Sequence, residues 1–250
     1  MYLRNVHGIL HGRKATFFIY YIMLNFLAII PARGASKGIP RKNIKKMAGH
    51  PLISYTINEA KKAKYLTKIV VSTEDEKIAK ISKKYGVDVI HRPKKLANDK
   101  TPSELVCQHV IRHLKNKEDF ETDVAVILQP TSPLRKAEDI NSAIRKFLKS
   151  DCSSVVSITK VQHSPYWMYK IDKSKMKKIL TDKKITRRQD SPVIYQLNGA
   201  IYVTKKETIM ERNSLIGENM IGYIMPYERS IDIDSQIDFD LAELLIKKIN

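Results

Sequence analysis

The sequence predicts an α/β protein with a doubly wound, mainly parallel sheet. Apolar, β-branched runs alternate with amphipathic helical stretches up to about residue 150. Two of those runs, Phe26–Ile30 and Val124–Leu128, are apolar throughout, as strands buried on both faces are. The chain has 250 residues, 43% hydrophobic and 28% charged, enough for the core of one such domain with room for an excursion.

Residues 1–22 fall outside that pattern. Arg4, Arg13 and Lys14 precede the apolar run Ala15–Ile22, which superficially resembles a signal peptide, but no small-residue cleavage site follows. An apolar core extended to Ile30 would consume the first strand. These residues read as an extension, Met23 as the expected start, and 23–250 as a single cytoplasmic domain. No run has the length of a membrane span.

The first strand is Phe26–Ile30. A loop rich in glycine and cations follows, then a helix over Pro51–Lys64 with Leu52, Ile53, Ile57 and Ala60 on one face. Pro51 suits a first helical position. Lys68–Ser72 is the second strand. Asp75–Tyr85 is a helix with acidic residues in its first turn and Gly86 at its end. Val87–Ile90 is the third strand, Pro102–Lys115 a helix, Val124–Leu128 the fourth strand, Lys136–Lys149 a helix and Ser153–Ile158 the fifth strand.

The periodicity then weakens. Thr159–Leu197 carries many lysines, Pro165, Pro192 and the aromatic cluster Tyr166, Trp167, Tyr169, and reads as an excursion from the sheet. The strand Ala200–Val203 returns after Asn198-Gly199. Ile221–Met225 is a further strand, and Gln236–Ile249 closes the chain as a helix.

The formal net charge of +19 favours polyanionic partners. The lysines are spread along helices, and no aromatic-rich basic motif accompanies them, so nucleotide phosphates are the expected partner and a nucleic-acid-binding scaffold the alternative. Cys107 and Cys152 read as buried free thiols. His109 and His113 stand at i, i+4 but lack a third ligand, and read as ordinary helix residues.

Chemistry concentrates in three places. After the first strand, Arg33, Gly34, Lys37, Gly38, Arg41 and Lys42 make a glycine-rich basic loop, a phosphate-binding arrangement in which backbone N–H groups and cations meet anionic oxygens. Lys42 is expected to face solvent in the empty protein. The spacing matches neither the Walker loop nor GxGxxG. Asp232 and Asp234 in Ser-Ile-Asp-Ile-Asp lie at i, i+2, so an extended chain projects both carboxylates from one face, about 7 Å apart at their origins, with Ile231 and Ile233 inward. Such a pair suits Mg²⁺, and equally caps the last helix. Gln129–Arg135 (QPTSPLR) follows an apolar strand, the usual ligand position in an open sheet; Gln129, Thr131 and Ser132 offer hydrogen bonds and Arg135 a charge.

Together the motifs carry a resemblance. IIPARGASKGIPRKN, IVVSTED, HRPKKLANDKT, LQPTSPLR, LNGAIYV and SIDID, in that order from about Phe26 onward, resemble the acylneuraminate (sialic acid) cytidylyltransferases. The resemblance implies a Rossmann-like, glycosyltransferase-A-like nucleotidyltransferase fold and transfer of CMP from CTP to an acidic nonulosonic sugar. It implies that Arg33, Lys37, Lys42 and Asn43 contact the triphosphate and ribose, and that Arg92 and Ser103 line the cytidine pocket. Gln129 would face the sugar, and Asp232 and Asp234 would hold Mg²⁺. It further implies a homodimer that the 159–197 excursion helps to form, the partner chain completing the sugar site. Two departures stand out. Ala35 replaces a usual second glycine, and Gln196 stands where many relatives carry an arginine two residues before Asn-Gly. Arg188, which matches a family arginine, is with Arg187 the nearest substitute. The acceptor is therefore N-acetylneuraminate or a relative such as legionaminate, pseudaminate or 3-deoxy-manno-octulosonate.

Overall fold

The computed structural model describes residues 24–181 and 187–249; the expected extension over residues 1–22 lies outside them. A seven-stranded mixed sheet runs through the described chain. Its strands are β1 (Phe26–Pro31), β4 (Lys68–Thr73), β5 (Asp88–His91), β6 (Val124–Leu128), β7 (Ser154–Lys160), β10 (Tyr195–Lys205) and β11 (Met220–Ile224), in the order β11-β7-β10-β6-β1-β4-β5. Strands β6, β1, β4 and β5 are mutually parallel. Only β10 runs antiparallel, inserted between β6 and β7.

Alternation along β1 shows why the sheet is covered on both faces. Phe26, Ala28 and Ile30 pack with Ile53, Ile57 and Ala60 of α1 (Leu52–Lys62), Ile78 of α2 (Glu76–Lys84) and Ile140, Ile144 and Phe147 of α4 (Ala137–Leu148). Leu27 and Ile29 meet Cys107, Val110, Ile111 and Leu114 of α3 (Ser103–Glu118) and Ile209 of the short α5 (Lys206–Met210). Period-2 strands between two helical layers need apolar residues at every position, which is the pattern of β1 and β6. Both cysteines are buried free thiols, and burial raises both pKa values. No described helix is long and apolar enough to cross a membrane.

A third cluster sits at one end of the sheet. Ile39, Met47, Leu52, Leu134, Ile231 and Ile233 pack against Phe239, Ala242 and Ile246 of α6 (Gln236–Ile249). A two-stranded ribbon, β2 (Lys46–Met47) with β3 (His50–Pro51), lies under it.

The sheet departs from expectation at β10. Asn198-Gly199 reads as a turn before a strand at Ala200, yet the strand begins at Tyr195 and the register shifts between Leu197 and Tyr202. Gly199, at φ +71°, absorbs that irregularity inside a continuous strand. The excursion thus leaves the sheet after Lys160 and rejoins it at Tyr195, its directly paired neighbour. Within it, β8 (Tyr169–Asp172) and β9 (Lys175–Lys178) form an exposed hairpin.

Arg135 is a correction. Expected to offer a charge to ligand, it is 1% exposed, and its guanidinium donates to the carbonyls of Ala200 (2.7 Å) and Gln129 (3.2 Å) and to Thr56 Oγ1 (2.7 Å). Burial lowers its pKa to about 10. The side chain ties the end of β6 to β10 and α1. Arg135→Met should cost about 1–3 kcal/mol for each buried acceptor it strands. Urea denaturation checks this, and a loss below about 1 kcal/mol would show the network to be dispensable.

Candidate active site

The loop after β1 returns to protein at both of its glycines. A Cβ on Gly34 would meet Asp75 Oδ2 at 2.6 Å, and one on Gly38 would meet the carbonyl oxygen of Asp234 at 2.2 Å. The glycines therefore let the loop press against α2 on one side and the Asp232–Asp234 segment on the other. Glu74 fixes the loop's first turn: its Oε1 accepts the N–H of Gly34 at 2.7 Å.

One cavity runs along this loop, and a second shares with it Gln129 at the end of β6. The first, of about 280 Å³, is lined by Arg33, Lys42, Asn43, Arg92, Ser103 and Gln129, six of the residues predicted from sequence. The second, of about 550 Å³, is lined by Gln129, Gln196, Asn198, Tyr202, Tyr227 and Asp232, among others. Gln129 lines both, and its Oε1 lies 3.0 Å from where a Cβ on Gly199 would stand. The side chains described around the second cavity include no cation.

Arg92 is nearly buried. Its Nε donates to Glu74 Oε2 at 3.0 Å, and its Nη2 is buried without a hydrogen-bond partner. Glu74 thereby connects the phosphate loop to this guanidinium, one carboxylate oxygen on each. Asn43 donates its amide N–H to the carbonyl of Arg33 at 2.9 Å, holding the loop's curvature while lining the cavity. Ser103 opens α3 at the cavity rim.

The four loop cations diverge. Lys42 does not face solvent as expected. It is 12% exposed at its side chain, its Nζ donates to the Ile233 carbonyl, and it lies 3.5 Å from Asp234 Oδ1. Arg41 adopts the left-handed region at φ 53° and turns to Asp75, which it meets at 2.9 Å. Lys37 is not part of the cavity lining; it is 80% exposed and pairs with Asp99 Oδ2 at 2.9 Å. Arg33 pairs with the same carboxylate.

The segment carrying Asp232 and Asp234 is extended but forms no strand; Ile233 N–H bonds the Thr131 carbonyl at 2.9 Å instead. Ile231 and Ile233 are buried as the spacing predicts. The carboxylates differ from one another. Asp234 is exposed, beside Lys42, while Asp232 is partly buried and its Oδ1 has no hydrogen-bond partner. Burial raises the Asp232 carboxyl above the usual range, opposed by a hydrogen bond with Thr131, and Asp234 adds like-charge repulsion. Neither aspartate caps α6. Ser235 and Asp238 do, with Asp238 Oδ2 accepting the Ser235 N–H at 2.7 Å and Ser235 Oγ accepting the Asp238 N–H at 3.4 Å.

A desolvated carboxylate oxygen without a partner, beside a second carboxylate, fits a hard divalent cation that completes its shell with phosphate oxygens and water. Among the described residues, no three His, Cys, Asp or Glu side chains converge as a protein-only metal cage. His109 and His113 lie with ring centroids 6.2 Å apart on α3 and gain no third ligand. Arg188 opens a 3-10 turn, Arg188–Asp190, its side chain outside the described residues; Arg187 pairs with Asp190 at 2.7 Å.

Sequence reasoning gave no role to Glu74 and Asp99, which organise the cations although they lie within the IVVSTED and HRPKKLANDKT motifs. Their signal was one of charge balance: a loop so basic needs anions nearby when it is empty.

The sequence matches the cytidylyltransferase family over residues 27–244. It is 33% identical to the post-translational flagellin modification protein B of Campylobacter coli, over 91% of this chain and 97% of that protein. It is 34% identical to the CMP-N,N'-diacetyllegionaminic acid synthase of Campylobacter jejuni, with the same coverage. The N-acylneuraminate cytidylyltransferase of Escherichia coli is 33% identical over 90% of this chain, but the match spans only 52% of that longer protein. Among solved structures, a CMP:2-keto-3-deoxy-manno-octonic acid synthetase superposes with a TM-score of 0.69 at 14% identity, covering 90% of this chain and all of that one. A 4-diphosphocytidyl-2C-methyl-D-erythritol synthase from Anaerococcus prevotii gives 0.65 at 16%, covering 90% of this chain and 96% of that one. The last two speak for the fold, and the family match with the closer relatives speaks for the chemistry: this chain belongs to the cytidylyltransferases, a family of nucleotidyl-transferring enzymes.

Proposed function

We propose that the protein transfers CMP from CTP to the anomeric hydroxyl of an acidic nonulosonic sugar, releasing pyrophosphate. The observation that carries this reading is that Gln129 lines both a cavity carrying Arg33, Lys42 and Arg92 and a polar cavity carrying Asp232 and Asp238. A nucleotide and a sugar laid end to end in these spaces bring an α-phosphate and an acceptor hydroxyl together there.

In this reading Arg92 and Ser103 receive the cytosine, Arg92 through its spare Nη2. Asn43 faces the ribose, and Arg33, Lys37 and Lys42 meet the triphosphate. Gln129 orients the sugar. The hydroxyl oxygen bonds to the α-phosphorus as the bond to pyrophosphate breaks, so catalysis is positioning plus neutralisation of charge on the leaving group. Asp232 and Asp234 would hold Mg²⁺, which supplies further neutralisation of phosphate charge when bound.

The sugar is N-acetylneuraminate or a relative such as legionaminate or pseudaminate. The relatives matched over nearly their whole length include a diacetyllegionaminic acid synthase, which supports that range. Gln196 lines the second cavity where many sialic acid enzymes resemble one another in carrying an arginine, so the sugar carboxylate needs a cation from elsewhere. Arg188 and the lysine-rich excursion are the sources in a homodimer. The exposed Ile171 and Met176 of the hairpin and the exposed Val193 of the same excursion support such an association. The enzyme works in the cytoplasm as one domain over 23–250.

Pyrophosphate release with CTP and Mg²⁺, measured across N-acetylneuraminate, legionaminate, pseudaminate and 3-deoxy-manno-octulosonate, tests the reading. Turnover with one of the first three is expected. No turnover with any of the four would overturn it, and turnover with the fourth alone would move the enzyme to another branch.

A further inference from the structure

Asp99 sits on the polar stretch between β5 and α3 and lines the first cavity together with residues of the phosphate loop. Its Oδ1 accepts from Arg33 Nη1 and its Oδ2 from Lys37 Nζ at 2.9 Å. One planar anion thus spans two cations with two oxygens, which is how one phosphoryl group would use them. The other acidic residues facing the loop are committed differently. Glu74 accepts the Gly34 N–H and Arg92 Nε, and Asp75 caps α2 through the N–H groups of Lys77 and Ile78 while holding Arg41. Asp234 stands beside Lys42. Glu74 and Asp75 bond backbone N–H groups that a ligand leaves in place, whereas the Asp99 carboxylate bonds, among the described residues, two side chains that a polyphosphate would claim.

We propose that Asp99 is an internal counter-anion that occupies the polyphosphate subsite of the empty protein, competes with CTP and pyrophosphate for Arg33 and Lys37, and promotes pyrophosphate departure after transfer. The inference rests on the triphosphate reading of this loop. Lys37 first, then Arg33, hold the Asp99 carboxyl below its usual range, so the competitor is fully charged at neutral pH. A ligand that must displace an occupant binds with an affinity reduced by the fraction of protein in which the occupant is absent. Ligands reaching only the α-phosphate position leave Asp99 where it is and escape that reduction. The carboxylate therefore weakens the hold on the leaving group more than the hold on the nucleoside monophosphate part of the substrate, and it returns to the cations once pyrophosphate moves off.

Calorimetric titration of the full chain with inorganic pyrophosphate, CTP and CMP separates the cases. Asp99→Asn should tighten pyrophosphate and CTP about three- to tenfold, a range set by two partly exposed ion pairs, and should move CMP less than about twofold. In a Lys37→Ala background the gain from Asp99→Asn should shrink, since half of the clasp is already gone. Asp99→Ser serves as a second variant, and circular dichroism verifies that each is folded. Unchanged or weaker pyrophosphate binding in folded Asp99→Asn and Asp99→Ser would overturn the inference and make Asp99 a ligand contact or a loop tether. If the unaltered protein binds neither pyrophosphate nor CTP, the triphosphate reading itself falls and takes this inference with it. Binding by the unaltered protein without gain in the variants removes the inference alone.

Discussion

Asp232→Asn should lower turnover about a hundredfold or more while the protein melts at or above the temperature of the wild type. The substitution keeps shape and removes the charge that would offset the dehydration of a bound Mg²⁺. Stability should not suffer, because burial holds the Asp232 carboxyl above its unfolded pKa. Between those two pKa values the native state binds more proton than the unfolded chain, so stability attributable to this group is present at low pH and lost as pH rises through the folded value. Asparagine never ionises and avoids that loss at neutral pH. Helix α6 keeps its Ser235–Asp238 cap in the variant, so no capping energy is at stake. Rate against Mg²⁺ concentration, with a thermal melt on the same sample, checks both halves. A normal rate with a normal Mg²⁺ requirement would put the metal elsewhere.

Lys42→Met should reduce kcat/KM for CTP about a hundred- to a thousandfold, the usual cost of removing one charged donor from a developing negative charge. The loss should be in binding and rate together, since in the proposed reading the ammonium would meet phosphate oxygens both before and during transfer. Lys42 also bonds the Ile233 carbonyl, so the variant should lose a modest stability increment of about 1 kcal/mol as well. Steady-state kinetics compared with urea denaturation separates the two effects. If activity fell only in proportion to the unfolded fraction, Lys42 would be a tether for the Asp232–Asp234 segment and nothing more.

Much of this fold was legible because burial imposes periodicity. β1 and β6 are covered on both faces, which forces unbroken apolar runs, and Ile231 and Ile233 announce by spacing which way their aspartates do not point. Where burial is lacking the signal fails. Every residue of β8 is exposed, so nothing constrained its alternation and the hairpin went unrecognised within the excursion. The start of β10 was hidden because Asn-Gly marks both a turn and a bulge, and only pairing with β7 distinguishes them. Arg135 misled for the opposite reason: a guanidinium at 1% exposure is rare, and its acceptors come from three separate parts of the chain. Lys42 misled because its carbonyl partner lies at Ile233, far along the sequence. The roles of Glu74 and Asp99 were hidden on the same ground, each acting on a loop far from it in sequence.

The pairing of Lys160 directly with Tyr195 makes the stretch between them a graft on an otherwise closed sheet. Its two ends already lie at hydrogen-bonding distance, so a short hairpin could join them without moving a strand, and a longer insertion would add only a slowly growing closure entropy. The first cavity, proposed for the nucleotide, takes none of its lining residues from that stretch. Exchanging the graft would leave every lining residue of the first cavity in place.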